Sequence, residues 1–276
     1  MPIITLITDF GLKDNYVGII KGVIHSINPE VKIIDITHLI NSYGLVEAGY
    51  ILKSSFNYFP KGTIHIIIVD PEVGSQRKII LLKSKDYYFL APDNGILSFI
   101  LDRFKEIKIV ELTNKKYFLE EVSQTFQGRD IFAPVAAYLS LGKNIEEFGP
   151  ELNKIKTLAP EFKPEFNKDK IVGQIIYIDH FGNLITNIVK EEFTFDDSEV
   201  LIEIAGQKIK GINKTYSQLK PGKLLALWGS SNHLEVAANQ ANAQQLLKIE
   251  KGKTEVIIRN PSGNLLPQRR RGTEKT

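Results

Sequence analysis

The first 150 residues alternate short, apolar, β-branched runs with segments whose apolar residues recur at helical spacing. The runs at residues 3–8, 31–37, 63–69, 78–83 and 87–91 predict strands. Residues 63–69 (TIHIIIV) are almost wholly apolar, which is typical of a strand covered on both faces.

Helices are predicted in several connections between these strands. The first follows Asp14 or Asn15, either of which can cap it, and its apolar residues keep the 3.6-residue period as far as Ile27. Further helices are predicted at residues 45–56, 96–104 and 131–141. Asp130 is expected to be the N-cap of the last one. The βαβαβ order predicts an α/β fold, with a mainly parallel sheet between helices on both faces.

The character of the chain changes at residues 159–170, which contain two prolines, six charges and no apolar period, and which we interpret as a linker. Beyond it, short strands are predicted at residues 171–178, 184–189, 200–205, 224–227 and 255–259, and one helix at 241–247. Glycine-containing turns between these strands favour a smaller, antiparallel, barrel-like β-domain.

The predicted organisation is an N-terminal α/β domain over residues 1–158, the linker, a β-rich C-terminal domain over residues 171–259, and a basic tail over residues 260–276. The tail contains three consecutive arginines and no periodicity. A frayed, solvated terminus is the preferred interpretation, and an RNA-binding tail is the alternative.

The amino-acid composition excludes several classes of protein and several kinds of site. Of the 276 residues, 43% are hydrophobic and 24% are charged, which excludes a largely disordered or fibrous chain. The net charge of +3 is too small to indicate nucleic-acid binding. The absence of cysteine excludes disulfides, thiolate zinc sites and a cysteine nucleophile. The N-terminus lacks a signal-peptide pattern, and no apolar run approaches the ~20 residues of a membrane helix, so a cytoplasmic protein is expected.

Polar clusters follow several predicted strands, where doubly wound sheets bind ligands. Asp9 can accept both hydroxyls of a ribose, since a carboxylate has two acceptor oxygens; an Asx-turn explains it equally well. Asp70 and Arg77 enclose a loop with a proline and a glycine that can bring them together. They then form either a pair that polarises a water or a surface ion pair that closes the loop, and spacing alone favours the surface ion pair.

Three further polar segments are candidates, at residues 126–130 (FQGRD), 179–183 (DHFGN) and 229–235 (GSSNHLE). The first is also compatible with a capped helix start, and the other two with ordinary structural turns. The histidines, at positions 25, 38, 65, 180 and 233, have neither HxxxH nor HExxH spacing, so no metal is predicted. Spacing therefore supports a two-domain α/β protein with a ribose- or nucleotide-sized site.

Seven motifs occur in order between about residue 3 and about residue 250. They are TDFG at 8–11 with YVG at 16–18, DITH at 35–38, VDPxVG at 69–74 with Arg77, PDNG at 92–95, GRDIFAP at 128–134, DxFGN at 179–183, and GS at 229–230 with LE at 234–235. Together they resemble the S-adenosyl-L-methionine (SAM) hydroxide adenosyltransferases, or adenosine-forming SAM hydrolases, which are relatives of fluorinating and chlorinating enzymes. The resemblance implies an α/β domain, a β-domain and a homotrimer with sites between one subunit's N-domain and a neighbour's C-domain.

The resemblance also implies an activity: hydrolysis of SAM to adenosine and L-methionine by attack of an activated water on C5′, without metal or cofactor. It places Asp70 and Arg77 in the water-activating set. It places Asp9 on the ribose hydroxyls, with Asp14 nearby, and Tyr43 against the ribose face. In the C-terminal domain it implies methionine contacts at Asp179, Ser230 and Ser231, and adenine contacts at Phe181, Asn183 and the backbone from Glu235 to Ala238.

One position departs from the family pattern. The family has a histidine before Gly-Arg-Asp, where this chain has Gln127. Glutamine can orient a water but cannot take its proton at neutral pH. The alternatives are therefore a hydrolase that uses Gln127, a SAM- or adenosine-binding protein without turnover, and C5′ transfer to a halide. The halogenating relatives lack the Asp–Arg pair, and Gly128 offers no hydroxyl for fluoride, which disfavours the last.

Overall fold

The computed structural model describes residues 1–158, 162–249 and 254–261. The chain divides into two compact units, Met1–Leu158 and Ala159–Thr276. Most of the predicted basic tail and the first residues of the predicted linker lie outside the described residues. Within the described ranges, no helix is long and apolar enough to cross a membrane.

The first unit contains a six-stranded sheet. Its strands are β1 (Ile3–Thr8), β2 (Lys32–Thr37), β3 (Ile64–Ile68), β4 (Ile79–Ser84), β5 (Tyr88–Pro92) and β6 (Ile107–Glu111), in the order β2-β1-β3-β5-β4-β6. The first four strands of that order run parallel, and β4 is antiparallel to both β5 and β6. The carboxyl ends of four parallel strands therefore meet at one edge of the sheet. Strand β6 was not predicted, because two of its five residues are charged.

Both faces of this sheet are covered by helices, which are α1 (Tyr16–Ile27), α2 (Leu45–Ser55) and α3 (Ala133–Ser140). Ile66 packs in a cluster with side chains of α1 and α3, whereas Ile67 packs in a second cluster with side chains of α2. Successive residues of a strand point to opposite faces, so this alternation explains why β3 is apolar throughout. The predicted α/β fold is confirmed.

Two local predictions for this unit are wrong. The segment predicted as one helix at 96–104 forms two short 3₁₀ helices, Ile96–Phe99 and Leu101–Arg103. The Ser98 hydroxyl donates to the Gly95 carbonyl and accepts from the Leu158 amide, so this side chain offers the backbone an alternative to α-helical bonding. Asp130 does not cap α3 from outside but lies within a π-helical turn, Gly128–Phe132, where it accepts from the Ser123 amide at 2.8 Å.

His65 is buried in the middle of β3. Its ring stacks on Phe89 with 5.1 Å between centroids, and its Nδ1 lies 2.7 Å from Thr5 Oγ1. Burial lowers the pKa of His65 from 6.5 to about 3. The folded protein therefore holds this imidazole neutral under conditions that protonate it in the unfolded chain.

We expect the protein to lose stability through His65 as the pH falls below about 6.5, its reference pKa. Between there and about pH 3 the unfolded state binds one more proton, so the free energy of unfolding falls by at most ~1.4 kcal/mol per pH unit. Urea unfolding from pH 7 to pH 5 checks this, with His65→Gln expected to show the smaller slope. Equal slopes for the two proteins would contradict the assignment.

The second unit contains an antiparallel, nearly closed barrel. Its strands are β7 (Glu165–Phe166), β8 (Lys170–Ile178), β9 (Leu184–Val189), β10 (Leu201–Ile204), β11 (Gln207–Lys210), β12 (Leu224–Trp228), β13 (His233–Ala238) and β14 (Glu255–Arg259). Seven of them follow the order β11-β10-β14-β8-β9-β13-β12, and β7 pairs with β8. A bridge joins Leu227 of β12 to Asn213, three residues beyond β11, and so brings the two ends of that order together. The predicted barrel-like β-domain is confirmed.

Strands β11 and β13 were not predicted. Only Ile209 is buried in β11, so that its sequence has little apolar signal. Strand β13 begins with His233 and contains Glu235, and both polar residues are buried. The short helix α4 (Ala243–Leu247) lies within the predicted segment, and β7 lies within the described part of the predicted linker.

Candidate active site

The first candidate group lies after β1 and β2. Asp9 directly follows β1, and its Oδ2 accepts a hydrogen bond of 3.0 Å from the Tyr43 amide. Tyr43 has a φ of 66°, a left-handed conformation that is uncommon for a tyrosine, and its side chain is 67% exposed. The Asp9 carboxylate thus helps to hold a strained residue whose ring is presented to solvent.

The second group lies after β3. Arg77 donates from Nε to Asp70 Oδ2 at 2.8 Å, and its terminal nitrogen donates both to the same oxygen and to Gln127 Oε1. The side chains of Arg77 and Asp70 are only 2% and 5% exposed. The structure therefore brings together the three residues predicted to be catalytic, although 50 positions separate Arg77 from Gln127.

The loop from Asp70 to Arg77 is folded back by local contacts. Gly74 has a φ of 80°, and a Cβ at this position would lie 2.6 Å from the Gln124 carbonyl oxygen, so only glycine fits without a shift. The Glu72 amide donates to Asp70 Oδ1 at 3.2 Å, and Asn94 Nδ2 donates to the Val69 carbonyl at 2.9 Å. These bonds fix the end of β3 and the carboxylate that follows it.

The orientation of the Gln127 amide follows from chemistry. An arginine has donors but no acceptor, so Oε1 must face Arg77 and the amide nitrogen must face away. Among the described residues no partner is found for that nitrogen. Gln127 therefore can offer the hydrogen-bond donor of its amide nitrogen to a group bound beside the Arg77–Asp70 pair.

These two groups belong to one edge of the sheet. Strands β1 and β3 are adjacent and parallel, with Thr8 opposite Ile68, so the loops that carry Asp9 and Asp70 start side by side. Phe10, Tyr16 and Phe126 pack as an aromatic cluster, with centroid distances of 5.1–6.2 Å, and Phe126 directly precedes Gln127. Sequence reasoning missed this cluster, because its members come from separate segments.

Asp14 is not brought into either group by a hydrogen bond. It is exposed in the turn before α1, and the N-cap residue of that helix, Asn15, makes no side-chain cap bond. Neither of the two proposed caps therefore bonds the helix terminus.

In the second unit, Asp179 organises the turn between β8 and β9. Its Oδ1 accepts from the amides of Phe181 and Asn183, and its Oδ2 accepts from Asn183 Nδ2, all at 2.8–2.9 Å. Phe181 is 73% exposed, whereas Asn183 is buried. The turn thus presents an aromatic ring on a rigid base, and one lone pair of Asp179 Oδ2 remains for a ligand.

Glu235 on β13 is buried beneath the turn that carries Ser230 and Ser231. Burial raises the pKa of Glu235, although a hydrogen bond of 2.8 Å from Tyr216 Oη opposes this rise. A Cβ at Gly229 would lie 1.8 Å from Glu235 Oε1, which explains why a glycine precedes the two serines. Tyr216 was not identified from the sequence, since it lies 19 positions from its partner.

The remaining predicted residues of this unit differ in exposure. Ser230 is exposed, Ser231 is half-buried, and Ala238, the last residue of β13, is buried.

Within residues 1–158, 162–249 and 254–261, no group of three or more histidine, cysteine, aspartate or glutamate residues is arranged to hold a metal ion.

Comparison with known proteins shows that the two units match the two domains of a single protein family. A family model described as the SAM hydroxide adenosyltransferase N-terminal domain matches residues 4–149, and one described as the C-terminal domain matches residues 173–256. The (R)-S-adenosyl-L-methionine hydrolase of Methanocaldococcus jannaschii is 34% identical over 91% of this chain and 93% of that protein. A fluorinase of an Actinoplanes species is 28% identical over 68% of this chain and 72% of that protein. A crystal structure of an uncharacterized conserved protein from Thermotoga maritima superposes with a TM-score of 0.83 at 36% identity, covering 94% of this chain and 99% of that one.

Proposed function

Because the chain belongs to the SAM hydroxide adenosyltransferase family, we propose that it hydrolyses SAM to adenosine and L-methionine. The similarity to curated (R)-SAM hydrolases over nine-tenths of the chain supports this reaction. The fluorinases match a smaller part of it.

The reaction is a displacement at carbon. The oxygen of a water or hydroxide bonds to C5′, the C5′–S bond breaks, and its electron pair remains on sulfur. The sulfonium thus leaves as the neutral thioether of methionine and needs no acid, while the proton of an attacking water goes to solvent. The protein must hold C5′ and the oxygen in line and favour a hydroxide-like nucleophile.

The observation that carries this proposal is the arginine between Asp70 and Gln127. Arg77 does not deprotonate in proteins, so it cannot serve as a base, but its positive charge stabilises an anionic oxygen nearby. Asp70 holds the guanidinium through two bonds, and Gln127 adds an amide N–H donor. This set can orient a water and stabilise it as it becomes hydroxide-like.

The substrate contacts are divided between the two units. Asp9 holds the ribose hydroxyls through its Oδ1 oxygen, with Asp14 nearby and Tyr43 against the ribose face. In the second unit, Asp179, Ser230 and Ser231 receive the amino and carboxylate groups of the methionine moiety, and Phe181, Asn183 and the strand from Glu235 to Ala238 flank the adenine. The exposure of the Tyr43 and Phe181 rings supports their roles as stacking surfaces.

We further propose a cytoplasmic homotrimer without metal or cofactor, in which one subunit's N-domain and a neighbour's C-domain form each site; membership of the family supports this assembly. Light scattering tests the assembly, with an expected mass of three times 31.2 kDa.

Incubation of the purified protein with SAM, followed by chromatography, tests the reaction. We expect adenosine and methionine to appear in equal amounts, and Asp70→Ala to abolish them because Arg77 then lacks its buried counterion. Asp86→Ala is the control, since it removes a half-buried carboxylate whose ion-pair partner, Lys61, is exposed. It is expected to retain full activity.

Other outcomes identify the alternatives. Stoichiometric binding of SAM without product, by calorimetry, would mean that this chain is a binding protein and that the hydrolase proposal is wrong. A 5′-halogenated nucleoside formed in the presence of chloride or fluoride would mean that the nucleophile is a halide.

A further inference from the structure

His38 links the end of β2 to the loop that carries Asp9. It directly follows β2, is 3% exposed, and its Nδ1 lies 2.9 Å from Oγ1 of the buried Thr8, the last residue of β1. Nothing in the proposed reaction uses this histidine. Its burial beside the candidate site requires another explanation.

The same two residues bind the turn that follows β1. The Phe10 amide donates to Thr8 Oγ1 at 3.3 Å, and the Gly11 amide donates to the His38 carbonyl at 2.8 Å. Gly11 has a φ of 69°, a left-handed conformation that glycine adopts without strain. Asp9 therefore lies within a loop that is held at two successive amides, one by the Thr8 hydroxyl that contacts the His38 ring and one by the His38 carbonyl.

The far side of the imidazole faces Asp35, which pairs with Lys21. Nε2 lies 3.1 Å from Asp35 Oδ1, without a well-aligned hydrogen bond, and Asp35 Oδ2 accepts from Lys21 Nζ at 2.5 Å. A carboxylate beside Nε2 favours the tautomer that carries its proton there. Nδ1 is then an acceptor, so the Thr8 hydroxyl donates to His38 and presents its lone pairs to the Phe10 amide.

We propose that His38 is a positioning residue: through Thr8 it fixes the Asp9 loop and thereby sets the affinity for the ribose of the substrate. The ribose contact rests on the proposed function, whereas the fixing of the loop does not. Asp35, which pairs with Lys21, sets the tautomer of His38; His38 then sets the direction of the hydrogen bond from Thr8, whose oxygen accepts from the Phe10 amide.

The same sheet contains a matched control. Three residues before Thr8, Thr5 Oγ1 lies 2.7 Å from Nδ1 of His65, and both side chains are buried. This second Thr–His pair has the same chemistry, but it is in the middle of β1 and β3 and binds no loop amide. Its loss affects the core and leaves the Asp9 loop untouched.

The test uses substitutions that imitate one ring nitrogen at a time. In His38→Asn the amide oxygen can occupy the position of Nδ1 and keep the bond from Thr8, whereas in His38→Gln the amide reaches the Asp35 side and that bond is lost. Thr8→Val removes the hydroxyl and Thr8→Ser keeps it. His65→Asn and His65→Gln are the controls. The readouts are KM for SAM, Kd for adenosine, thermal midpoint, and amide hydrogen exchange of peptides that cover residues 9–11.

We expect His38→Gln and Thr8→Val to raise KM, Kd and loop exchange about tenfold, while His38→Asn and Thr8→Ser stay within threefold of the wild type. Both His65 variants lower the thermal midpoint without changing the other three readouts. Unchanged loop exchange in His38→Gln would overturn the proposal, as would equal losses in His38→Asn and His38→Gln, or faster exchange with unchanged affinity. Loop exchange requires no substrate, so it decides on the loop even if the wild type fails to cleave SAM.

Discussion

Arg77→Met is expected to lower kcat/KM for SAM by about 10²–10⁴-fold, the usual range for loss of an electrostatic or acid–base group in a transition state. It is also expected to destabilise the fold by about 3–5 kcal/mol, because it leaves the Asp70 carboxylate buried without its partner. Both side chains are almost completely buried, so solvent compensates little for the lost interactions. One substitution thus affects catalysis and folding for different reasons.

A double variant separates the two effects. In Asp70→Asn/Arg77→Met no charge remains unpaired, so most of the lost stability should return while the activity stays lost. The measurements are kcat/KM from adenosine release and the free energy of unfolding in urea. If the double variant regained activity together with stability, the role of Arg77 would be structural. If Arg77→Met kept wild-type kcat/KM, the proposed site would be wrong.

The architecture could be predicted because its signals are local. The apolar run at β3 and the helical period of α1 each extend over one continuous segment, and the βαβ order then fixes a parallel sheet. Strands β6, β11 and β13 escaped prediction because their exposed or buried polar residues interrupt that signal. In β13 the polar residue Glu235 is buried against Gly229 and Tyr216, and no short window of sequence contains both contacts.

The candidate site was predictable only in part. Spacing indicated that Asp70 and Arg77 could meet, but left a surface ion pair as the preferred explanation. Burial of both side chains shows that the pair is not a surface pair. The contact of Arg77 with Gln127 depends on the fold, since 50 residues separate the two, and the role of Asp130 was misjudged because the π-helical turn has no sequence signature.

We expect the side chain at position 127 to affect kcat through the hydrogen bonds that it accepts and donates. Arg77 can only donate, so the group at 127 must accept on one side, and Gln127 donates on the other. A neutral histidine can reproduce this arrangement, with one ring nitrogen accepting and the other donating. A glutamate can accept from Arg77 but has no donor, and its charge opposes an anionic nucleophile.

We therefore expect Gln127→Glu and Gln127→Leu to lower kcat by about 10²–10³-fold, the effect of losing one donor to a developing anion. Gln127→His is expected to keep kcat within about tenfold, below the 10²–10⁴-fold contribution of a general base. The measurement is kcat from pH 6 to pH 9, with the thermal midpoint of each variant as a control for folding. A gain of 100-fold or more in Gln127→His, with an inflection near the ordinary histidine pKa of about 6.5, would contradict this expectation. It would mean that water must give up its proton to residue 127, and that glutamine limits turnover in this chain.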